Sequence, residues 1–545
     1  MVRRKVPWVD LTLGSVAVLM ALESIPHPFG RDQGLYFYIG REWFLRGKLP
    51  YRDSFDVKTP GIYVLNGLAA LCFGDHMWGP RIFDAIGLLA LGLVCARLAT
   101  PRQERMQEGT IGISLLTASV AYFGIFDFWN TGQCELWCTL FATASLLVAT
   151  HQEPRVRSAL FAGALGGIAI LFKPPSGLVC CLAVGAIVVR AVREKQGSRL
   201  ALAGRGSMMI AAYGVGSMIL PAIVFGHIVA KGGASAMYDV LVVNNRHYVI
   251  QGKWVHSYRD AIRRTRAALH DFDPLGALLW LPLGATVVRE ALAKRRVEAA
   301  RRLLPFALLL CSIGAVWAQM KFTVYHWGTV VAPVTLAAAI LHADLRAWAR
   351  SHEWPERRGT LLGAGILAYS FYANAAIFDR WIRATWATVP YSVGAMPRQD
   401  YLEAFPSPLY SARLTEEVGL WLKQWALPGD RLSVRGFEPQ IYATSGLRGH
   451  GRFFWTTFLQ TPEWSYRLED WVEEDRRVFE TDPPRWVVAF EWVHTDLNSA
   501  EYFDRYGYKR ITTINGFVIL EYAPDGRFPS ILVRPPDPPP AGSSP

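Results

Sequence analysis

Two aspartates follow the first apolar segment of the chain. Asp32 lies in Pro28-Phe29-Gly30-Arg31-Asp32-Gln33-Gly34 and Asp56 in Phe55-Asp56-Val57-Lys58-Thr59-Pro60. A carboxylate can take the proton of an attacking hydroxyl, and a nearby cation can neutralise the group that leaves. A loop aspartate chosen at random is more often solvated or paired, here with Arg31, Arg52 or Lys58. The sharper reading is that a surface helix begins after Asp32 and another near Pro60, so that both carboxylates are pinned at a membrane boundary. Other candidates lie further along. Lys173 ends an apolar run and precedes Pro174-Pro175. It is either a lysine snorkelling from a helix end or an ammonium that meets a lipid-borne phosphate. Glu135 lies near the start of another apolar run, behind the polar residues Asn130 and Gln133. A carboxylate in a membrane span is expensive and therefore a functional candidate, unless it sits close enough to the surface to stay wet. Tyr325 and His326 sit with Lys321 and Trp327 in a short loop that reads as an aromatic belt or as substrate contacts. Arg246, in Asn244-Asn245-Arg246-His247, could reach phosphate or sugar.

These residues need a scaffold, and the composition says which kind. The 545 residues are 51% hydrophobic, with 20 Trp and a mean hydropathy of +0.17. Apolar runs of roughly 16–20 residues recur, near the length a helix needs to cross the hydrocarbon core. The fold class is therefore a polytopic α-helical membrane protein, because backbone polar groups in lipid must be satisfied within each helix. Spans are predicted near 8–26, 81–97, 110–127, 133–150, 158–172, 176–190, 207–229, 274–289, 304–320, 327–342 and 359–377, about 11 in all. The formal charge of +12 is concentrated in short loops at 97–105, 155–157, 190–205, 289–302 and 346–358. Placing these loops and the N-terminus in the cytoplasm puts the C-terminus outside and needs no nucleic-acid partner. The N-terminal Arg3-Arg4-Lys5 before the first apolar run reads as the flank of an uncleaved span.

Segment 59–74 is apolar but reaches only about 24 Å as a helix. If it crossed, every later basic loop would change sides, so it is predicted to lie in the interface. Segment 33–47 mixes Tyr, Phe and Trp with Arg and Glu, the composition of an interfacial helix. Residues 27–80 thus form a first long outer loop and 230–273 a second, the latter with an interfacial helix at 258–272. Residues 1–378 form the membrane module. Residues 391–523 read as a soluble extracytoplasmic α/β domain, with strands at 431–434 and 486–490, helices at 414–425 and 464–479, and a hairpin over 512–522 around Asn515-Gly516. The Pro-rich tail, 524–545, cannot bury a core. The seven cysteines all fall in the membrane half and show no ligand-like spacing. No phosphate-binding loop, dinucleotide fingerprint, zinc spacing or nucleophile elbow is present.

The block Arg31-Asp32-Gln33-Gly34-Leu35-Tyr36, then Leu49-Pro50-Tyr51-Arg52-Asp53 and Phe55-Asp56-Val57-Lys58-Thr59-Pro60-Gly61-Ile62-Tyr63, resembles the first outer loop of GT-C membrane glycosyltransferases. The likeness is to family 39, the dolichyl-phosphate-mannose–protein mannosyltransferase group, and to bacterial transferases that modify lipid A or its core. It continues more loosely at 130–135, at Lys173, at 325–333 and at 435–442. Gln33 stands where Glu is commoner, and two prolines follow Lys173. The resemblance implies a donor sugar on a polyprenyl phosphate and an acceptor that is glycan, lipid or protein. It implies Asp32 as the catalytic acidic residue, Asp56 as a second, and Lys173 at the phosphate. The resulting expectation is an inverting transferase of the cell (inner) membrane whose active site is extracytoplasmic. Asp32 would be the base, with Lys173, Glu135, Lys58, Arg246, Tyr325 and His326 around the donor. A divalent cation, Mg or Mn, is an open possibility as cofactor. A lipid-linked-sugar flippase or a non-catalytic envelope-assembly protein is the alternative.

Overall fold

The computed structural model describes residues 8–193, 198–272, 279–355, 358–363, 365, 375–407, 410–490, 500–514 and 516–523. The expected span at 359–377 lies mostly outside the described residues, as do the start of the one at 274–289, Arg3-Arg4-Lys5, Asn515 and the tail. The protein is mostly helical, with a small sheet near its C-terminus. In order come α1 (Trp8–Glu23), α2 (Arg31–Arg46), α3 (Gly61–Phe73), α4 (Trp78–Ala99), α5 (Thr110–Ser119), α6 (Cys134–His151), α7 (Val156–Phe172), α8 (Gly177–Arg193) and α9 (Arg199–Ala230). They are followed by α10 (Ala234–Tyr238), α11 (Asn245–Ile250), α12 (Tyr258–Phe272), α13 (Trp280–Leu292), α14 (Arg296–Trp317) and α15 (Val331–Ser351).

Six segments among the described residues are long and apolar enough to cross a membrane: Trp78–Ala99, Cys134–His151, Pro174–Arg193, Arg199–Ala230, Arg296–Trp317 and Val324–Ser351. Each coincides with a run picked out by hydropathy. Helices α3 and α7, and α5 with the π-helical turn that extends it to Gly124, are apolar but shorter. Their neighbours explain how short helices are held. Helix α7 lies along α6 and α9, and α5 along α1 and α4.

The first long connection contains the two expected helices, and the structure shows where α2 goes. Its start is set by Gly30, whose N–H donates to Gln33 Oε1 at 2.7 Å. Its end is Gly47, at φ +67°, a left-handed cap that glycine adopts without strain. Between these ends every residue from Gln33 to Trp43 is buried. Polar residues that read as headgroup contacts are turned to protein instead. Arg41 is fully buried and donates to the carbonyls of Tyr442 and Leu447.

The burial comes from the C-terminal α/β unit. Its sheet has the order β2-β1-β3-β5-β4, with β1 (Arg431–Val434), β2 (Arg448–Gly449), β3 (Trp486–Phe490), β4 (Tyr508–Ile514) and β5 (Phe517–Tyr522). Strand β1 runs parallel to β2 and β3, and β5 antiparallel to β3 and β4. A buried ion pair, Arg435–Asp475 at 2.8 Å, ties β1 to the helix Leu468–Thr481. The unit docks directly on α2. Tyr38 stacks on Phe454 with ring centroids 4.1 Å apart, and its hydroxyl accepts from Gly449 N at 2.8 Å. Arg31 Nη2 reaches Glu438 Oε1 at 2.5 Å. At Gly34 a Cβ would stand 2.5 Å from the backbone nitrogen of Gln440, so the close approach requires glycine. One continuous apolar core joins Tyr36, Ile39 and Tyr63 to Leu432, Tyr442, Phe454 and Trp486.

Candidate functional site

Asp32 sits in the first turn of α2, where the free N–H groups and the helix dipole favour a carboxylate. The side chain is half-buried. Gln133 Nε2 is 3.4 Å from its Oδ2, and Gln133 Oε1 accepts from the Tyr36 hydroxyl at 3.0 Å. Burial raises the Asp32 pKa above the usual carboxylate value. The charges of Lys58 and Lys173 pull it down, and Glu135 adds to the rise.

The loop opposite is clamped by a residue that sequence reasoning missed. Arg81, buried near the start of α4, donates to Thr131 Oγ1 at 2.6 Å, Pro28 O at 2.6 Å, Phe128 O at 2.8 Å and Gln33 Oε1 at 2.9 Å. Asp84, one turn on, accepts from the Tyr122 hydroxyl and from Gly132 N. One guanidinium thus fixes both the start of α2 and the 128–133 loop. The available signal was a charged residue at the edge of an apolar span.

Asp56 is 2% exposed. Its Oδ1 accepts from Val57 N at 2.7 Å and its Oδ2 from the Tyr63 hydroxyl at 2.6 Å. Burial pushes its pKa up to about 6 against the opposing charge of Lys58. Lys58 follows on the same loop. Burial works against its charge, but the carboxylates of Asp32 and Glu135 outweigh it and hold its pKa well above the usual lysine value. Its Nζ stands 3.5 Å from the Tyr325 hydroxyl.

Lys173 comes from the end of α7. Thr59 Oγ1 donates to Phe172 O at 2.8 Å, and a Cβ on Gly61 would lie 2.7 Å from Leu171 O. The start of α3 therefore presses on the end of α7, and the two lysines share Tyr325: their Nζ atoms are 5.3 and 5.9 Å from its ring centroid. Lys173 is nonetheless engaged in an ion pair with Glu135, which is 2% exposed. His326 Nε2 stands 3.9 Å from the same Glu135 oxygen.

The structure thus gathers Asp32, Asp56, Lys58, Glu135, Lys173, Tyr325 and His326 into one cluster. Arg246 is not among them. It is exposed on α11, and its neighbour Asn245 is the residue that turns inward, donating to Val57 O at 2.9 Å. Lys321 lies over the Tyr248 ring, 3.4 Å from its centroid, and donates to Gly252 O at 2.5 Å. Burial lowers its pKa to about 7. Among the described residues no group of three or more His, Cys, Asp or Glu side chains converges as a metal site. Both Asp56 oxygens already accept hydrogen bonds, and Glu135 is paired with Lys173.

No family model and no curated protein matches the chain. Solved structures do. The crystal structure of ArnT from Cupriavidus metallidurans bound to undecaprenyl phosphate aligns over 96% of this chain and 99% of its own, with a TM-score of 0.56 at 14% identity. The same protein in the apo state aligns over 95% and 98%, with a TM-score of 0.50 at 14% identity. The fold of this chain is the ArnT-like GT-C fold.

Proposed function

We propose that this protein is a GT-C glycosyltransferase that moves a hexose or pentose from a polyprenyl-phosphate donor to an acceptor at the membrane–water boundary. One observation carries the proposal: Asp32, half-buried at the start of α2, shares a cluster with the ammonium of Lys58, within a fold whose solved counterpart was crystallised with undecaprenyl phosphate. In this reading residues 1–378 are the catalytic module, and 391–523 lie on the extracytoplasmic side of the inner membrane.

The chemistry is a single in-line displacement. The acceptor hydroxyl oxygen attacks the anomeric carbon as Asp32 takes its proton. The bond from that carbon to the phosphate oxygen breaks on the opposite face, so the configuration inverts. The lipid phosphate departs with the bonding electrons, and a cation fixed where this charge develops lowers the barrier. Lys58 is better suited to that task than Lys173, because Lys173 already neutralises Glu135. Arg246 has no part in it. Tyr325, between the two ammonium groups, orients the departing phosphate, and His326 with Glu135 holds Lys173 in place. Asp56, with Tyr63 and Val57 N, shapes the Lys58 loop.

The test is transfer of label from a polyprenyl-phosphate sugar in reconstituted membranes, comparing wild type with Asp32→Asn. Loss of a general base lowers the rate by roughly 10²–10⁴-fold. Equal transfer by both proteins refutes the assignment and favours the flippase or assembly alternatives.

A further inference from the structure

One cavity among the described residues lies away from the cluster around Asp32. It is an open cleft of about 1230 Å³ between the second long connection and the C-terminal unit. Its walls come from residues 52, 232–243, 452 and 462–470. None of these belongs to the six apolar spans. A ligand held there is therefore met by polar loops and not by a lipid-facing groove. The volume exceeds the roughly 300–1,000 Å³ of a pocket for one small molecule.

The lining has a definite chemistry. Arg52, Arg452 and Arg467 line it, Arg52 paired with Asp53 and Arg467 with Asp470. Three carboxylates balance them, from Asp239, Glu469 and Asp470. A phosphate polymer or polyanion calls for a surplus of cations, which is absent. Guanidinium only donates and carboxylate only accepts, so the mixture suits a ligand whose groups do both, as sugar hydroxyls do. Tyr238 and Tyr466 stand in the walls with 61% and 56% of their surface exposed. Exposed tyrosine rings offer the flat apolar faces on which the C–H face of a pyranose packs, with a hydroxyl at the edge. Arg452 differs from the surface arginines. Its side chain is only 14% exposed and lies against the rings of Phe55, Phe453 and Trp471 at 5.6, 4.8 and 5.5 Å. Its nearest acid, Glu474, is 3.8 Å away. It is a cation held in place by packing.

The cleft is joined to the reaction cluster by two short routes. Asn244 Oδ1 accepts from Tyr466 N in the cleft wall at 2.9 Å, while Asn245 Nδ2 donates to Val57 O beside Asp56 at 2.9 Å. Phe55 N donates to Arg452 O at 2.9 Å, and Phe55 O accepts from Trp455 Nε1 at 2.8 Å. We infer that this cleft binds the saccharide part of the acceptor, so that the acceptor is a glycan or glycan-bearing molecule approached from the aqueous side. The inference rests on the transferase reading.

The experiment uses the full chain in nanodiscs and, as probe, fluorophore-labelled oligosaccharides released by mild acid from membranes of the expressing cells. Binding is read by fluorescence polarisation. Wild type binds saturably, and Asp32→Asn binds equally well because the base is outside the cleft. The exposed pair Tyr238→Ala/Tyr466→Ala weakens binding about tenfold or more without affecting folding. Failure of wild type to bind, unchanged binding by the double variant, or binding confined to acidic glycans and abolished by salt overturns the inference. Failure of the transferase reading appears separately, as a wild type that never discharges the polyprenyl-phosphate sugar.

Discussion

Replacing the two lysines one at a time separates their roles. Lys58→Met removes the ammonium that couples to Asp32 and Asp56, leaving a side chain of similar length. Loss of one preorganised group aimed at developing charge lowers turnover by about 10²–10³-fold. The same change removes the largest influence holding the Asp32 pKa down. A general base works above its pKa, so the acid limb of the pH–rate profile moves to higher pH. Lys173→Met acts differently. It leaves Glu135, 2% exposed, without its ion-pair partner, with only His326 at 3.9 Å. Breaking a buried pair from one side destabilises by about 3–5 kcal/mol, whereas removing both charges is nearly neutral. The double variant Lys173→Met/Glu135→Gln therefore recovers most of the lost stability. The assay pairs single-turnover release of lipid phosphate in nanodiscs with thermal unfolding of the same samples. Lys58→Met should lose far more rate per folded molecule than its fall in melting temperature explains; Lys173→Met should lose melting temperature and keep most of its rate per folded molecule. Lys58→Met turning over as wild type, with Lys173→Met the slower of the two at full stability, would falsify the assignment.

Three further outcomes follow from the same geometry. The Asp56 pKa is raised to about 6, so the stability this group contributes is present below its unfolded value of 3.8 and lost as pH rises through 6; Asp56→Asn should flatten the fall in melting temperature between acid and neutral pH and recover up to about 3 kcal/mol at pH 8. Gly34→Ala drives a Cβ into the Gln440 backbone and should cost about 1–3 kcal/mol, read as faster proteolytic release of the C-terminal unit; an unchanged cleavage rate contradicts the close docking. A topology reporter fused at residue 450 should report the extracytoplasmic side, and a cytoplasmic signal reverses the proposed orientation.

Much of this protein could be read from local sequence. Apolar run length marked the six long spans, because a helix in lipid must satisfy its own backbone. Short buried apolar runs located β1 and β3 to the residue, and turn residues located the C-terminal hairpin, whose first strand begins at Tyr508 and not at Thr512. Residue type and place singled out Glu135 as a carboxylate costly to keep in a span, while Asp32, Asp56 and Lys173 stood out from solvated or snorkelling groups through the first-loop motif and its resemblance. What sequence could not supply was which charge meets which. Glu135 takes Lys173 from 38 residues away, leaving Lys58 the ammonium nearer in role to Asp32. Arg246 is exposed while Asn245 reaches Val57. Helix α2 has the composition of a surface helix, yet the C-terminal unit covers it through contacts such as Arg31 with Glu438, 407 residues apart. Periodicity and hydropathy are sums over neighbours in the chain, so they determine elements and their solvent. Pairing of buried charges and covering of a helix face depend on desolvation by residues distant in sequence, and only the tertiary structure brings those together.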